Sequence, residues 1–286
     1  MKEIIEAGWK GNAEVVFDAY NERCRVDDYA GNLSFLYAGI VEECRKRNVK
    51  KLIWKVKSSD CFRALGTGMQ PEGAAGSFFR GEPCWFFSKF FSETRRKTDG
   101  WLKEDRLLEE VLQKDPKKII PLPNQGIREA VLEDAEELAS FYGAIFDVYP
   151  VPITDPDYVK KAMNSSSYFM VAEDEGKIVS AASAEVDENH LNAEITDCGT
   201  LPAYRKQGHL QHLIGALEQK LVQKGIYSSY SLSRAKSFGM NRSLYQCGYT
   251  YGGRLANNCY IYSSIENMNI WWKDLSKEKE AVHRQL

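Results

Sequence analysis

Ala193-Glu-Ile-Thr-Asp-Cys-Gly-Thr-Leu-Pro-Ala-Tyr-Arg-Lys-Gln-Gly-His-Leu210 is the stretch on which the reading of this chain turns. The run from Ala193 to Cys198 has strand character. A Gly-Thr-Leu-Pro turn follows, and a helix is expected from Arg205 to Lys224. Leu210, Leu213, Ile214, Leu217 and Leu221 recur there at helical spacing and form one apolar stripe. Gly225 is a stop signal. A strand, a tight loop and a helix start in this order present the unpaired N–H groups and positive dipole end of a first turn, expected near Arg205 to Gly208. A pyrophosphate fits such a place. Gly208 is expected to let the phosphate come close, because a side chain would collide with it.

The flanking segments read as alternating elements. Downstream, Tyr227 to Leu232 is a strand, Met240 to Gln246 a short helix, and Tyr249 to Tyr262 a strand pair interrupted near Gly252-Gly253. Upstream, Ile127 to Val131 is a strand. Glu133 to Phe146 is a helix with Leu138, Phe141, Tyr142 and Ile145 on one face. The prolines of Tyr149-Pro-Val-Pro-Ile-Thr-Asp-Pro156 stiffen a loop. Tyr168 to Ala172 and Lys177 to Val186 form a hairpin turning at Glu173-Asp-Glu-Gly176. Lys114 to Gln125, with Pro121 and Pro123, has turn chemistry throughout and divides the chain. Before it come a strand at Glu14 to Tyr20, a helix at Asn32 to Arg47, a strand at Lys51 to Val56, and a helix capped by Ser58-Ser59-Asp60. A glycine-rich stretch, Gly66 to Gly81, leads to the aromatic cluster Trp85 to Phe91, read as core or interface packing. No internal repeat is visible in the letters. The division expected is 1–120, 126–265 and a C-terminal tail, 266–286.

Composition narrows the classes. The 286 residues are 43% hydrophobic and 27% charged with net charge −2, which suits packed globular domains. Arg95-Arg96-Lys97 reads as a solvated helix end, and without a basic stripe nucleic acid is not an expected partner. No apolar run reaches the ~18–20 residues of a membrane helix, and Met1 to Lys10 lacks a signal-peptide stretch, so a cytoplasmic protein without a membrane partner is expected. Seven widely spaced cysteines without C-x-x-C point to free thiols. His190, His209, His212 and His283 make no ligand pattern, so no metal is expected.

Arg205-Lys206-Gln207-Gly208-His209-Leu210 resembles the pyrophosphate loop of the GNAT acetyltransferases, Arg/Gln-x-x-Gly-x-Gly/Ala, with Leu210 departing at the last position. The Leu-Pro-x-Tyr lead-in and Met240-Asn-Arg-Ser-Leu-Tyr-Gln-Cys-Gly-Tyr249 strengthen the likeness, which covers roughly 127–263. The 149–156 loop, Gly248-Tyr-Thr-Tyr-Gly-Gly253, Glu266-Asn-Met-Asn-Ile-Trp-Trp-Lys273 and Phe78-Phe-Arg-Gly-Glu82 are similar to the bacterial and archaeal beta-lysine N-acetyltransferases. The resemblance implies an α/β fold. Its C-terminal part would be a mixed, largely antiparallel, splayed GNAT sheet flanked by helices. The N-terminal part would be a degenerate GNAT-like α/β domain without a phosphate loop, packing on the catalytic domain or building a homodimer. It also implies acetyl-CoA as co-substrate and acetylation of the side-chain amine of beta-lysine, a diamino acid, giving a compatible solute used in osmoprotection.

The resemblance assigns site residues as well. Glu194 is the expected general base, because an alkylammonium of pKa ~10.4 must lose a proton before attack. Tyr245 is the expected general acid for the thiolate. Cys198, Gly199, Thr200, Arg205, Lys206, Gln207, Gly208, His209, Leu210 and Asn241 are expected to meet the cofactor. Tyr149, Asp155 and Asp197 are expected to meet the acceptor, with Asp197 holding an ammonium. Alternation puts Asp197 on the face opposite Glu194 unless a bulge intervenes. Direct transfer is implied, without a Cys198 acyl-enzyme. Another small amine as acceptor, or a non-catalytic acyl-CoA-binding regulator, are the competing readings.

Overall fold

The computed structural model describes residues 2–6, 8–113, 126–261 and 264–276. Its elements in chain order begin with β1 (Lys2–Glu6), β2 (Gly11–Asp18), β3 (Arg23–Gly31), α1 (Leu33–Lys46), β4 (Lys51–Lys57) and α2 (Cys61–Gly66). β5 (Gln70–Ser77), β6 (Gly81–Phe90), α3 (Glu93–Arg96) and α4 (Trp101–Gln113) complete the first half. The second half runs β7 (Gly126–Glu129), α5 (Ala135–Gly143), α6 (Pro156–Met163), β8 (Ser167–Asp174), β9 (Lys177–Asp187) and β10 (Asn192–Thr200). It ends with α7 (His209–Gln223), β11 (Ser228–Arg234), α8 (Phe238–Gln246), β12 (Thr250–Ile261) and β13 (Ser264–Asp274). The dividing segment Lys114 to Gln125 lies outside the described residues.

The strands form one sheet in the order β1-β2-β3-β4-β6-β5-β12-β13-β11-β10-β9-β8-β7. Most neighbours are antiparallel. β3 with β4, and β10 with β11, are parallel, each joined by a crossover helix, α1 or α7, as parallel neighbours require. The order β1-β2-β3-β4-β6-β5 in the first half matches β8-β9-β10-β11-β13-β12 in the second. The halves meet where β5 pairs with β12 at Gly73 and Gly253. Gly253 has φ 132°, and a Cβ there would sit 2.4 Å from the Glu72 carbonyl oxygen. The interruption at Gly252-Gly253 is therefore a bulge at which one strand crosses onto the other half.

Each crossover helix buries its apolar stripe. Leu213, Ile214, Leu217 and Leu221 of α7 pack on Ala193 and Ile195 of β10, and Leu33, Leu36 and Ile40 of α1 pack on Cys24, Val26 and Leu52. Phe86 and Phe87 are buried on opposite sides of β6, whereas Trp85 stays 38% exposed. The aromatic cluster thus serves packing.

Several sequence expectations change. Ser264–Asp274, read mostly as a tail, is the inner strand between β12 and β11. Four strands (β1, β3, β5 and β6) and α4 were not distinguished in the first half. Asp60 makes no cap for α2; it accepts from the Tyr29 hydroxyl and from Arg63 instead.

The sheet is curled. β3 and β10 stand seven places apart, ~34 Å in a flat sheet at ~4.8 Å per strand. Yet Asn192 of β10 donates to the Phe78 carbonyl at 3.0 Å, and His190 lies 3.4 Å from Asp28 of β3. Curling brings β3 and β4 to face β9, β10 and β11.

Candidate active site

β10 and β11 pair only at Asn192, Ala193 and Glu194 opposite Ser228, Ser229 and Tyr230. Beyond that register no ladder joins them, and the Ser231 hydroxyl reaches the Ile195 carbonyl at 2.7 Å. The parallel strands splay, leaving the β11-side edge of Cys198, Gly199 and Thr200 without a strand partner. On the other edge, β10 keeps its ladder to β9 through a bulge between Thr196 and Gly199, where Asp197 takes φ 50°.

The bulge answers the question of faces. The extra residue shifts the alternation, so Asp197 points to the same side as Glu194. The cross-strand partners agree: Glu185 stands opposite Glu194, and the Ser183 hydroxyl donates to Asp197 Oδ2 at 2.6 Å. The Tyr149 hydroxyl donates to Asp197 Oδ1 at 3.0 Å. Asp197 is buried; desolvation raises its carboxyl, against the pull of the Ser183 and Tyr149 hydrogen bonds. Tyr230 donates to Glu194 Oε2 at 2.9 Å.

Glu185 was missed in the sequence, because its role comes from a cross-strand register. Desolvation first, then the charges of Glu194 and Asp197, push its carboxyl up to about 7, with Arg25 and Lys55 opposing. Glu185 keeps contact with water, which makes the crowding of like charges the sturdier cause. Arg25, Asp27 and Lys55 were missed too. The alternation Arg23, Arg25, Asp27 around Cys24 and Val26 was a readable signal for a strand with one charged face, but only curling aims that face at β10. Arg25 Nη2 donates to Asp27 at 3.1 Å, and Lys55 pairs with Asp27 at 3.0 Å. Desolvation would raise the Asp27 carboxyl, but Lys55 and Arg25 outweigh it and hold the group far below the usual range.

The candidate anion-binding end is assembled on α7. The helix begins at His209, four residues later than expected, and Arg205 to Gly208 form the loop before it. Gly208 is the N-cap at φ 89°, with no side chain capping the helix and no acidic residue in its first turn. A Cβ at Gly208 would meet nothing closer than His212 at 3.9 Å; within the chain the glycine is required by the left-handed backbone rather than by crowding. The equivalent end of α1 is occupied: the Asn32 side chain accepts from Ser34 and Phe35. The uncapped N–H groups of α7, with Arg205 and Lys206 beside them, fit the pyrophosphate of acetyl-CoA. Arg205 and Gln207 also hold the loop, donating to the Thr200 and Ala203 carbonyls. The His209 side chain is buried, so it offers a backbone N–H. Leu210 packs on the α7 core.

Three expected residues stand elsewhere. Asn241 is wholly buried: its amide donates to the Arg234 and Ser237 carbonyls, and its oxygen accepts from Ser233, Asn269 and Trp271. Nothing is left to meet a cofactor, and Asn241 is a structural tie. Asp155 is exposed and caps α6, its Oδ1 accepting from Asp157 N at 3.0 Å. The Tyr245 hydroxyl donates to the Leu112 carbonyl of α4 at 3.3 Å, a bond that a general acid here would first have to break. The Cys198 thiol is pushed far up, first by burial and then by Asp197, which keeps it protonated and a poor nucleophile.

Among the described residues no cluster suited to a metal ion occurs, and no helix is long and apolar enough to cross a membrane. None of the seven cysteines forms a disulfide.

The family described as "Acetyltransferase (GNAT) family" matches residues 132–249, the segment that carries the splay and the α7 loop. N-acetyltransferase YodP of Bacillus subtilis is 37% identical over 90% of this chain and 94% of its own length. The beta-lysine N(6)-acetyltransferase of Methanosarcina mazei is 36% identical over 73% and 85%, and that of Methanococcus maripaludis 30% identical over 96% and 99%. A solved putative acetyltransferase from Salmonella typhimurium, with its cofactor acetyl-CoA, is similar over 54% of this chain and 95% of its own, at 16% identity and TM-score 0.46. With the family match and the three N-acetyltransferase relatives of 30–37% identity, the chain belongs to the GNAT family of acetyltransferases and is an N-acetyltransferase that takes its acetyl group from acetyl-CoA.

Proposed function

We propose that the protein acetylates the side-chain amine of beta-lysine, giving N6-acetyl-beta-lysine. The observation that carries this reading is the charge pattern of the cleft: Glu185, Glu194 and Asp197 on one wall, Arg25 and Lys55 on the other. An acceptor with two ammonium groups and one carboxylate complements it, and two relatives bear the name of that activity. The first half is read as a degenerate copy of the same fold, whose anion site is closed by Asn32.

In this mechanism the thioester supplies an activated acetyl carbonyl. Uncapped α7 N–H groups and the Arg205–Gly208 loop bind the pyrophosphate, and the free edge of β10 steers the pantetheine into the splay. The Glu185–Glu194 pair receives the proton of the acceptor ammonium. Glu185, near neutrality, carries that proton at little cost, while the Tyr230 hydrogen bond fixes the direction of Glu194. The amine lone pair then attacks the carbonyl carbon, the C–S bond breaks, and a proton passes to the departing thiolate. Asp197, held by Ser183 and Tyr149, anchors the second ammonium.

The test is thiol release from acetyl-CoA with beta-lysine, L-lysine and spermidine offered separately, with product mass spectrometry. Selective acetylation of beta-lysine at N6 is expected. Preference for another amine overturns the substrate; cofactor binding without turnover of any amine overturns the activity.

A further inference from the structure

We propose that Arg25, positioned by Asp27 and assisted by Lys55, is the acceptor's carboxylate anchor, so that the first half of the chain completes the substrate site of the second. This rests on the reading of the acceptor as an amine that carries a carboxylate.

Arg25 lies on β3 and Lys55 on β4, on the faces that curling turns toward β10 and β11. Arg25 interacts electrostatically with Asp27 and Glu194, and both Arg25 and Lys55 act on Glu185. The Lys55 ammonium stands 5.2 Å from the Phe78 ring and 5.8 Å from the ring of Tyr230, the residue that holds Glu194. Among the described residues, however, neither cation forms an ion pair with Glu185, Glu194 or Asp197. Their ion-pair partner is Asp27 alone.

Guanidinium has five N–H donors. In Arg25 a single hydrogen bond, from Nη2 to Asp27, uses one of them, and Nε is enclosed without a partner. The side chain keeps 37% exposure while Asp27 keeps 16%. Nη1 is thus left with N–H groups that no protein acceptor takes, on a side chain fixed in direction by Asp27. A fixed guanidinium with free N–H groups suits a carboxylate. The charges agree: Arg25 and Lys55 against Asp27, Glu185, Glu194 and Asp197 leave the cleft with an excess of negative charge, matched by a substrate of two ammonium groups and one carboxylate. The separation of the walls gives such a molecule a direction. Its carboxylate goes to β3 and β4, its amines to β9 and β10.

The experiment compares kcat and KM for beta-lysine with those for 1,4-diaminopentane, the same skeleton without the carboxylate, in the wild type and in Arg25→Gln and Lys55→Gln. Loss of one charge-assisted hydrogen bond from a carboxylate is expected to raise KM for beta-lysine about 10–100-fold in Arg25→Gln at pH 8.5, above the Glu185 limb, with a change of at most about threefold for 1,4-diaminopentane. Lys55→Gln should show a smaller rise of the same selectivity. Retained turnover of the diamine serves as the control for folding. An equal loss on both compounds, or no loss on either, overturns the proposal, since it marks the cluster as structural. If the wild type prefers L-lysine, the beta-lysine reading fails, and the anchor is decided by the same comparison of L-lysine with 1,5-diaminopentane. If it prefers spermidine, which has no carboxylate, both fall.

Discussion

The pH dependence of kcat/KM follows from how Glu185 is surrounded. Its carboxyl is pushed up to about 7 by desolvation and by Glu194 and Asp197, and pulled back by Arg25 and Lys55. Because kcat/KM reports the free enzyme, and beta-lysine does not titrate between roughly pH 5.5 and 8 by ordinary amine and carboxylate values, an acid limb in this window belongs to the protein. It should lie near 7, with activity falling about tenfold per pH unit below it. Two substitutions must move it in opposite directions. Asp197→Asn removes a negative neighbour and should lower the limb; Arg25→Gln removes a positive one and should raise it. Charges several ångströms apart in a cleft open to water interact by ~1 kcal/mol, about 0.7 of a pH unit, and the exposure of Glu185 places the expected movement at about 0.5. The assay is thiol release at limiting acceptor from pH 5.5 to 8.5, in buffers of constant ionic strength. Activity flat down to pH 5.5, as an ordinary carboxylate near 4–5 would leave it, or movement of both variants in the same direction, would refute the reasoning.

Other outcomes follow from the same geometry. Asn241→Ala should cost about 3–5 kcal/mol of stability, since three donors and two carbonyls lose their partner in the interior. A variant of unchanged melting temperature but weakened acetyl-CoA binding would restore a cofactor role. Gly208→Ala forces an L-residue to φ 89°, at ~1–2 kcal/mol; KM for acetyl-CoA should rise roughly tenfold with KM for the amine unchanged, and an unaltered acetyl-CoA KM would remove the α7 end from the site. Asp155→Ala should lower stability by ~1 kcal/mol through the lost α6 cap, measured by urea titration, while a large change in acceptor KM would return Asp155 to the pocket. His190, joined to Asp187 at 2.6 Å and to Asp28 at 3.4 Å, has its pKa raised to about 9, chiefly by those hydrogen bonds. Its folded value lies above its unfolded one, so its contribution is complete below about 6.5 and is lost as pH rises through about 9. Unfolding titrations should show that decline in the wild type and not in His190→Asn, and equal slopes in both would show that the contact carries no linkage.

The cofactor end was legible in the letters because it is local. A strand, a loop with glycine, and the start of an amphipathic helix lie within eighteen consecutive residues, and their chemistry depends on backbone N–H groups that any such order presents. Even there, the helix start moved to His209, since the left-handed Gly208 ends the loop instead of joining the first turn. The acceptor end was only partly legible. Glu194 and Asp197 could be named, but whether they share a face depended on one extra residue in a bulge, which alternation alone does not reveal. Glu185 entered through a cross-strand register. Arg25 and Lys55, some 140 to 170 positions away from Glu194, entered through the curl of a thirteen-strand sheet.

The residues found in capping and core hydrogen bonds teach the same distinction. Asn241 and Asp155 have side chains suited to ligands, and local sequence does not tell a ligand contact from a hydrogen bond satisfied inside the protein. The segment Ser264–Asp274 reads as polar at its start, yet it fills the centre of the sheet, with Asn267 and Asn269 buried and bonded to Glu104 and Asn241. From the letters alone came most elements of the second half, the helix end proposed for the anion, and the family. Tertiary structure alone decided which charges share the cleft, because long-range pairing and sheet curvature set distances between residues that no local periodicity relates.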